Sequence, residues 1–283
     1  MMTARPLQAT PRRRTPRLLA TRMGQLVMLG ASLLVAELAL SAPSAMEIVE
    51  RANQASYYAG NDGRSEARMR IEDRGGRTQT RQFTVLRRNI DDSDRQQYLV
   101  VFSRPSEYRG TVFLVDKNPA ADDDRWLYLP DMDLVRRIAP GDKRTSFVGA
   151  HVYYEDISGR HLDDDTHSLA EETEQHYVLH SEPRNPGAVE FSSFRTWVNK
   201  DTWIPERIEY SDAEGDVFRI MENANVEVID GYPTPTVMRV QDLDSGGSTV
   251  VQFRGISYDL GIPESVFTER SLRNPPRDWL EGR

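Results

Sequence analysis

The stretch Gln96–Pro130, QQYLVVFSRPSEYRGTVFLVDKNPAADDDRWLYLP, holds three short apolar runs parted by polar turns. Each run has the length of a β-strand, and none alternates apolar with polar residues as a strand with one wet face does. In the first run Leu99 and Val101 oppose Tyr98, Val100 and Phe102; in the second Phe113 and Val115 oppose Val112 and Leu114; the third brings Trp126 and Tyr128. Antiparallel sheets normally keep one face polar, so both faces of these strands must be covered by helices, a lid, a partner or a ligand. Just upstream, TQTRQFTVLRRN does alternate, with Phe83 and Val85 on one face and Gln82, Thr84 and Leu86 on the other, and that second face is expected to meet water.

Outward from this stretch, nearly everything after the turn GNDG at 60–63 reads as strands separated by Gly, Asp, Asn and Pro. No crossover helix fits between most of them, so the sheet is expected to be antiparallel. Upstream, Ser44-Ala-Met-Glu47 has the form of a capping box, and Ile48, Ala52, Ala55 and Tyr58 recur at helical spacing, which predicts an amphipathic helix to about Tyr58. The resulting class is α+β, mainly β: a single curved antiparallel sheet in one domain, 46–283.

Residues 1–45 differ in kind. Six arginines precede the apolar run from Leu26 to Leu40, and SAPSA follows, the pattern of a secretory signal peptide cleaved near 41–45. The run is shorter than the roughly 20 apolar residues of a permanent membrane span, and it contains Glu37. With no cysteine in its 283 residues, the chain reads as an exported, disulfide-free protein of the bacterial periplasm. Loss of the leader removes six arginines and one glutamate and moves the net charge from −8 to −13. So acidic a body argues against nucleic acid, whose binding rests on Lys and Arg neutralising phosphates.

The densest acids, Asp91, Asp92 and Asp94, then Asp122–Asp124, then Asp163–Asp165, match no calcium loop and read as solvated turns. The five histidines show no HExxH spacing, the serines no GxSxG elbow, and no phosphate-binding loop is present. No catalytic residues, metal ligands or cofactor are therefore assigned. The insertion between Gly141 and Asp165 is too apolar for a loop in water: SFVGAHVYYEDISG carries Phe147, Val148, Val152, Tyr153 and Tyr154, with Gly149 and Gly159 as candidate pivots. It is expected to be a lid over a cavity lined by Leu99, Val101, Phe113, Val115, Trp126, Tyr128, Phe147, Val152, Tyr153 and Tyr154. Strand periodicity does not say which member of each neighbouring pair points inward.

SRPSEYRGTVFLVDK and DDDRWLYLPDMDLVRRIAPGDKRTSFVGAHVYYEDISGR, followed by WVNKDTWIPERIEYSDAEG, DGYPTPTVMRVQDL and GIPESVFTERSL, resemble the outer-membrane lipoprotein-sorting proteins of the LolA/LolB-like superfamily. The resemblance spans nearly the whole chain after the leader. It implies an incomplete antiparallel barrel with helices over its concave face, a cavity for acyl chains of lipids or lipoproteins, and traffic toward the outer membrane alongside an inner-membrane transporter of the resistance-nodulation-division (RND) superfamily. A magnesium-dependent phospholipid hydrolase on the same fold, and an accessory subunit of a transporter, are the alternatives.

Overall fold

The computed structural model describes residues 42–90 and 94–281; the expected leader lies outside them except for its last four residues, as do Asp91 and Asp92. Among the described residues the short apolar runs and turn-forming links become thirteen strands of one antiparallel sheet. The first six are β1 (Asp62–Glu72), β2 (Thr78–Asn89), β3 (Gln96–Arg104), β4 (Val112–Lys117), β5 (Asp124–Leu129) and β6 (Leu134–Ile138). After the insertion come β7 (Asp165–Glu172), β8 (His176–Pro183), β9 (Ser193–Asn199), β10 (Pro205–Ser211), β11 (Val217–Ile229), β12 (Tyr232–Asp242) and β13 (Gly247–Tyr258).

From β1 the chain meanders outward to the edge strand β6. The insertion then carries it to the opposite edge, β7, and it meanders back until β13 pairs with β1. The sheet stays open between β6 and β7. Tyr98 on β3 and Ile208 on β10 line one cavity although six strand spacings separate them. On a flat sheet they would stand about 29 Å apart. The sheet is therefore strongly curved, the incomplete barrel that the resemblance implied.

The helix expected at the start is α1 (Ala45–Tyr57). Its capping box is complete: Ser44 N–H donates to the Glu47 carboxylate at 2.7 Å, and Glu47 N–H donates to Ser44 Oγ at 3.3 Å. Ile48, Val49 and Ala52 bury its apolar stripe against Leu179 of β8 and Val198 of β9, and its last turn reaches the cavity on the inner face.

The non-alternating strands are explained by two different covers. On the inner face, Tyr98, Val100, Phe102, Phe113, Val115 and Leu127 pack with Phe147, Val152 and Tyr154 of the insertion. On the outer face, Leu99, Val101, Val112 and Leu114 pack with Ile262, Val266, Phe267 and Leu272 of the C-terminal segment, joined by Trp126, Tyr128 and Trp279. Asp62 on β1 pins the start of that segment by accepting the N–H groups of Leu260 and Ile262 at 2.7 and 2.8 Å. Arg64 holds its end, donating to the carbonyls of Trp279 and Leu280 at 3.0 and 2.7 Å.

Two expectations change here. The helices do not all cover the concave face: α1 and α2 (Tyr154–Ser158) lie on the inner side, whereas α3 (Arg270–Arg273) and α4 (Arg277–Leu280) belong to the segment on the outer face. β2 is not half-wet, because Leu86 is fully buried under that same segment and Phe83 is buried inside. On the face expected to be wet Thr84 is buried as well and Gln82 is half-buried, while Arg81 and Arg87 are buried on the face of Phe83.

Candidate ligand cavity

The inner face of the curved sheet is only partly filled. Met69, Phe83, Val85 and Tyr98 from β1–β3 look across at Ile208, Met221, Met238 and Phe253 from β10–β13, under a roof of Tyr57 from α1 and Phe147, Val152 and Ile157 from the insertion. They enclose about 290 Å³, near the lower end of small-molecule pockets. A second space of about 130 Å³ shares Tyr57, Asp156, Ile208 and Met221 with the first, so the two are lobes of one cleft running beneath α1.

One end of the cleft lies where β12 and β13 part. Their ladder ends at Val237 opposite Gln252; beyond it β12 stays with β11 as far as Tyr232, and β13 stays with β1 as far as Tyr258. The sequence cause is Pro233 and Pro235. Proline carries no N–H, and two prolines at alternate positions strip two donors from the same edge of a strand. Because the pairing of Pro233 and Pro235 with β11 is intact, the edge that loses its donors is the one facing β13. β13 adapts with a bulge at Gly255, φ +53°, which shifts its register against β1. As a result Phe253 before the bulge and Ile256 and Tyr258 after it all line the cavity. A hydrogen bond of 2.9 Å between Thr234 Oγ1 and the Tyr258 hydroxyl spans the parted strands.

The insertion crosses the inner face as a strap, and charge anchors it. Arg219 of β11, 1% exposed, donates to Asp156 at 2.5 Å and lies 4.2 Å from the Tyr153 ring. Glu155, 2% exposed, meets Arg144 at 2.7 Å, Lys143 at 3.1 Å and Arg160 at 3.3 Å. Burial alone would raise the Glu155 carboxyl, but these three cations hold it down at about 2. At the β5 end, Asp123 accepts from Arg125 at 2.5 Å and sits 2.7 Å from His161 Nε2. Burial opposes its charge, yet His161 and Arg125 keep its carboxyl below the usual range. Lys117 Nζ donates to the Ser158 carbonyl at 2.7 Å, and burial depresses it to about 8.

The reading of the acids as wet turns holds for the exposed Asp122 and Asp163 and fails for Asp123 and Asp165, 3% and 2% exposed. Asp165 is buried because Arg160 reaches both its oxygens, at 2.7 and 2.9 Å. Among the described residues no three His, Asp or Glu side chains gather as metal ligands.

The residues expected to line a cavity divide three ways. Phe147 and Val152 do line this one. Phe113, Val115 and Tyr154 lie on the same inner face but in solid core, with the Phe147 ring centroid 5.3 Å from Phe113 and 5.4 Å from Tyr154; Tyr153 stands at the strap beside Arg219. Leu99, Val101, Trp126 and Tyr128 are on the outer face and do not meet the strap, since strand parity separates them from Tyr98 and Phe113. Gly159 is no free pivot: a Cβ there would come within 2.8 Å of the Tyr57 ring. The far wall, from β10 to β13, was missed. Its signal was the YPTPT of β12, which marks a strand unable to complete its ladder.

A family model described as an uncharacterized protein family matches residues 94–274. A DUF1329 family protein from Desulfovibrio piger is 31% identical over 80% of this chain and 96% of that chain, with a TM-score of 0.73. The chain belongs to the DUF1329 family. Two further structures share the fold. A putative outer membrane lipoprotein-sorting protein domain from Vibrio parahaemolyticus is 24% identical with TM-score 0.73, covering 81% of this chain and 98% of that one. A LolA superfamily protein from Nitrosomonas europaea is 20% identical with TM-score 0.63, covering 81% and 99%. No curated protein matches the chain. The resemblance read from the sequence thus holds at the level of the fold.

Proposed function

We propose that this DUF1329 protein is a periplasmic carrier that shelters acyl chains of lipids or lipoproteins on their way toward the outer membrane, binding them without chemical change. The observation that carries the reading is the partly filled inner face: apolar side chains from both wings of the sheet converge on one cleft, and that cleft ends at strands that do not close. Each methylene left in water costs about 0.8 kcal/mol, so a sixteen-carbon chain faces a barrier of more than about 10 kcal/mol unless it stays covered. A cleft of this lining removes most of that barrier but drives no net transport. Energy must come from a partner, and an RND-superfamily transporter is the partner that the lipoprotein-sorting resemblance supports.

The test is native mass spectrometry of the exported protein purified without detergent, followed by extraction and identification of what it carries. Co-purified lipid is the expected result. Protein that emerges empty and also takes up no fluorescent fatty acid would remove the carrier reading.

A further inference from the structure

Among the described residues six basic side chains are buried: Arg64, Arg81, Arg87, Lys117, Arg125 and Arg219. Taking a cation out of water is unfavourable unless something answers its charge. Arg64, Arg125 and Arg219 each have a carboxylate within 3.1 Å. Arg81 lies 4.1 Å above the ring of Tyr108, and Lys117 is 5.4 Å from the rings of both Tyr57 and Tyr58. Among the described residues Arg87 has neither kind of partner. Its donors go to neutral oxygens, the carbonyls of Ala59 and Gly60 and the side-chain oxygen of Asn89, which satisfy hydrogen bonds without supplying charge. The Asp259 carboxylate acts on the Arg87 charge only from beyond ion-pair distance, held there by bonds from Asn61 and Tyr232.

Arg87 is also placed for a ligand. It lines the cavity, on the same face of β2 as Phe83 and Val85, and it pairs across β1 with Gly63, which pairs in turn with Tyr258 at the parted β12–β13 strands. The cleft is polar at this end and apolar toward Met69, Met221 and Phe147. Building on the carrier reading, we propose that Arg87 is the headgroup site of the cavity. The ligand class is a single-chain anionic amphiphile, its carboxylate or phosphate at Arg87 and its chain running toward Phe147. One chain is what about 290 Å³ accommodates. A planar guanidinium suits either anion, because carboxylate and phosphate both accept two parallel N–H bonds.

The experiment is displacement of a neutral fluorescent naphthylamine probe from the purified protein by palmitate, by palmitoyl-lysophosphatidylglycerol and by uncharged hexadecanol. One or both anions are expected to bind at least tenfold more tightly than hexadecanol, and the tighter one identifies the source of the anion. Arg87→Gln should erase the preference and leave hexadecanol unchanged, while Arg87→Lys should keep part of it. Equal binding of all three ligands overturns the headgroup site and leaves the carrier reading standing; displacement by none of them overturns the carrier reading itself. A uniform loss in Arg87→Gln would make Arg87 a fastener of the Ala59–Gly60 turn and would also overturn the proposal. Should that variant fail to fold, photolabelling of the wild-type protein decides: palmitate with a diazirine beside its carboxyl is expected to mark the segment around Arg87 and Tyr258, and marking at Phe147–Val152 instead would reverse the orientation and refute the site.

Discussion

The two faces of β2 to β5 are almost equally apolar, yet one is solid core and the other borders a cleft. The outer face meets the chain's own C-terminal segment, whose Ile262, Val266, Phe267 and Leu272 fill the spaces between Leu86, Leu99, Val112 and Leu114. The inner face meets a strap fastened by buried charge: Phe147 and Tyr154 fill the β3–β4 end, and beyond them the cover thins toward Met69, Met238 and Phe253. Apolarity therefore says that a face is covered, and the nature of the cover says whether the space beneath it is full. An apolar cover leaves no room. A strap held by ion pairs can bridge a gap without filling it.

The largest expected effect breaks the strap. Arg219→Ala leaves Asp156 charged and unpaired in the interior and should lower stability by about 3–5 kcal/mol in urea unfolding, with Arg219→Met plus Asp156→Leu regaining much of it. If the single variant instead altered probe affinity and spared stability, the strap would be a gate rather than a fastening.

The next effect separates the two faces directly. Leu99→Ala on the outer face should lose about 2–5 kcal/mol while retention of a fluorescent fatty acid stays unchanged. Ile208→Trp, which grows into both lobes of the cleft, should do the reverse: retention falls at least tenfold with a modest change in melting temperature. Equal damage to retention and stability in both variants would erase the distinction between core and cleft.

A third outcome depends on pH. Glu155 ionises at about 2 in the folded chain against an ordinary value of 4.5, so its stabilising contribution is complete above about pH 4.5 and is lost as the pH falls toward 2. The loss should be roughly 3 kcal/mol between those limits, and Glu155→Gln should flatten that slope. Asp165, which burial raises, acts with the opposite sign, so the double variant with Asp165→Asn sharpens the assignment. An acid limb indifferent to Glu155→Gln would place the pH-sensitive fastening elsewhere.

The smallest contrast lies between neighbours. Asp122→Asn, at an exposed turn, should leave the melting temperature unchanged, whereas Asp123→Asn should lower it measurably by weakening the bonds to Arg125 and His161. Similar effects from the two would mean that Asp123 is not buried as described.

How much of this was legible in the chain depends on whether the signal is local. The capping box at Ser44 and Glu47, the turn residues between short apolar runs and the absence of crossover helices are properties of neighbouring residues, and they determined the helix and the antiparallel sheet. The unalternated runs of β3, β4 and β5 also determined that both faces had to be covered. The identity of each cover was a tertiary matter, because period-two alternation separates Leu99 from Tyr98 without saying which of them points inward. The burial of Asp123 was hidden for the same reason: an aspartate in a polar turn looks solvated until a partner arrives from a segment whose position local sequence does not set, as His161 does 38 residues away. The cleft lay furthest from view, since it exists only where strands six places apart in the sheet curve to face one another. Curvature is a sum over the whole sheet, and no short stretch of sequence contains it.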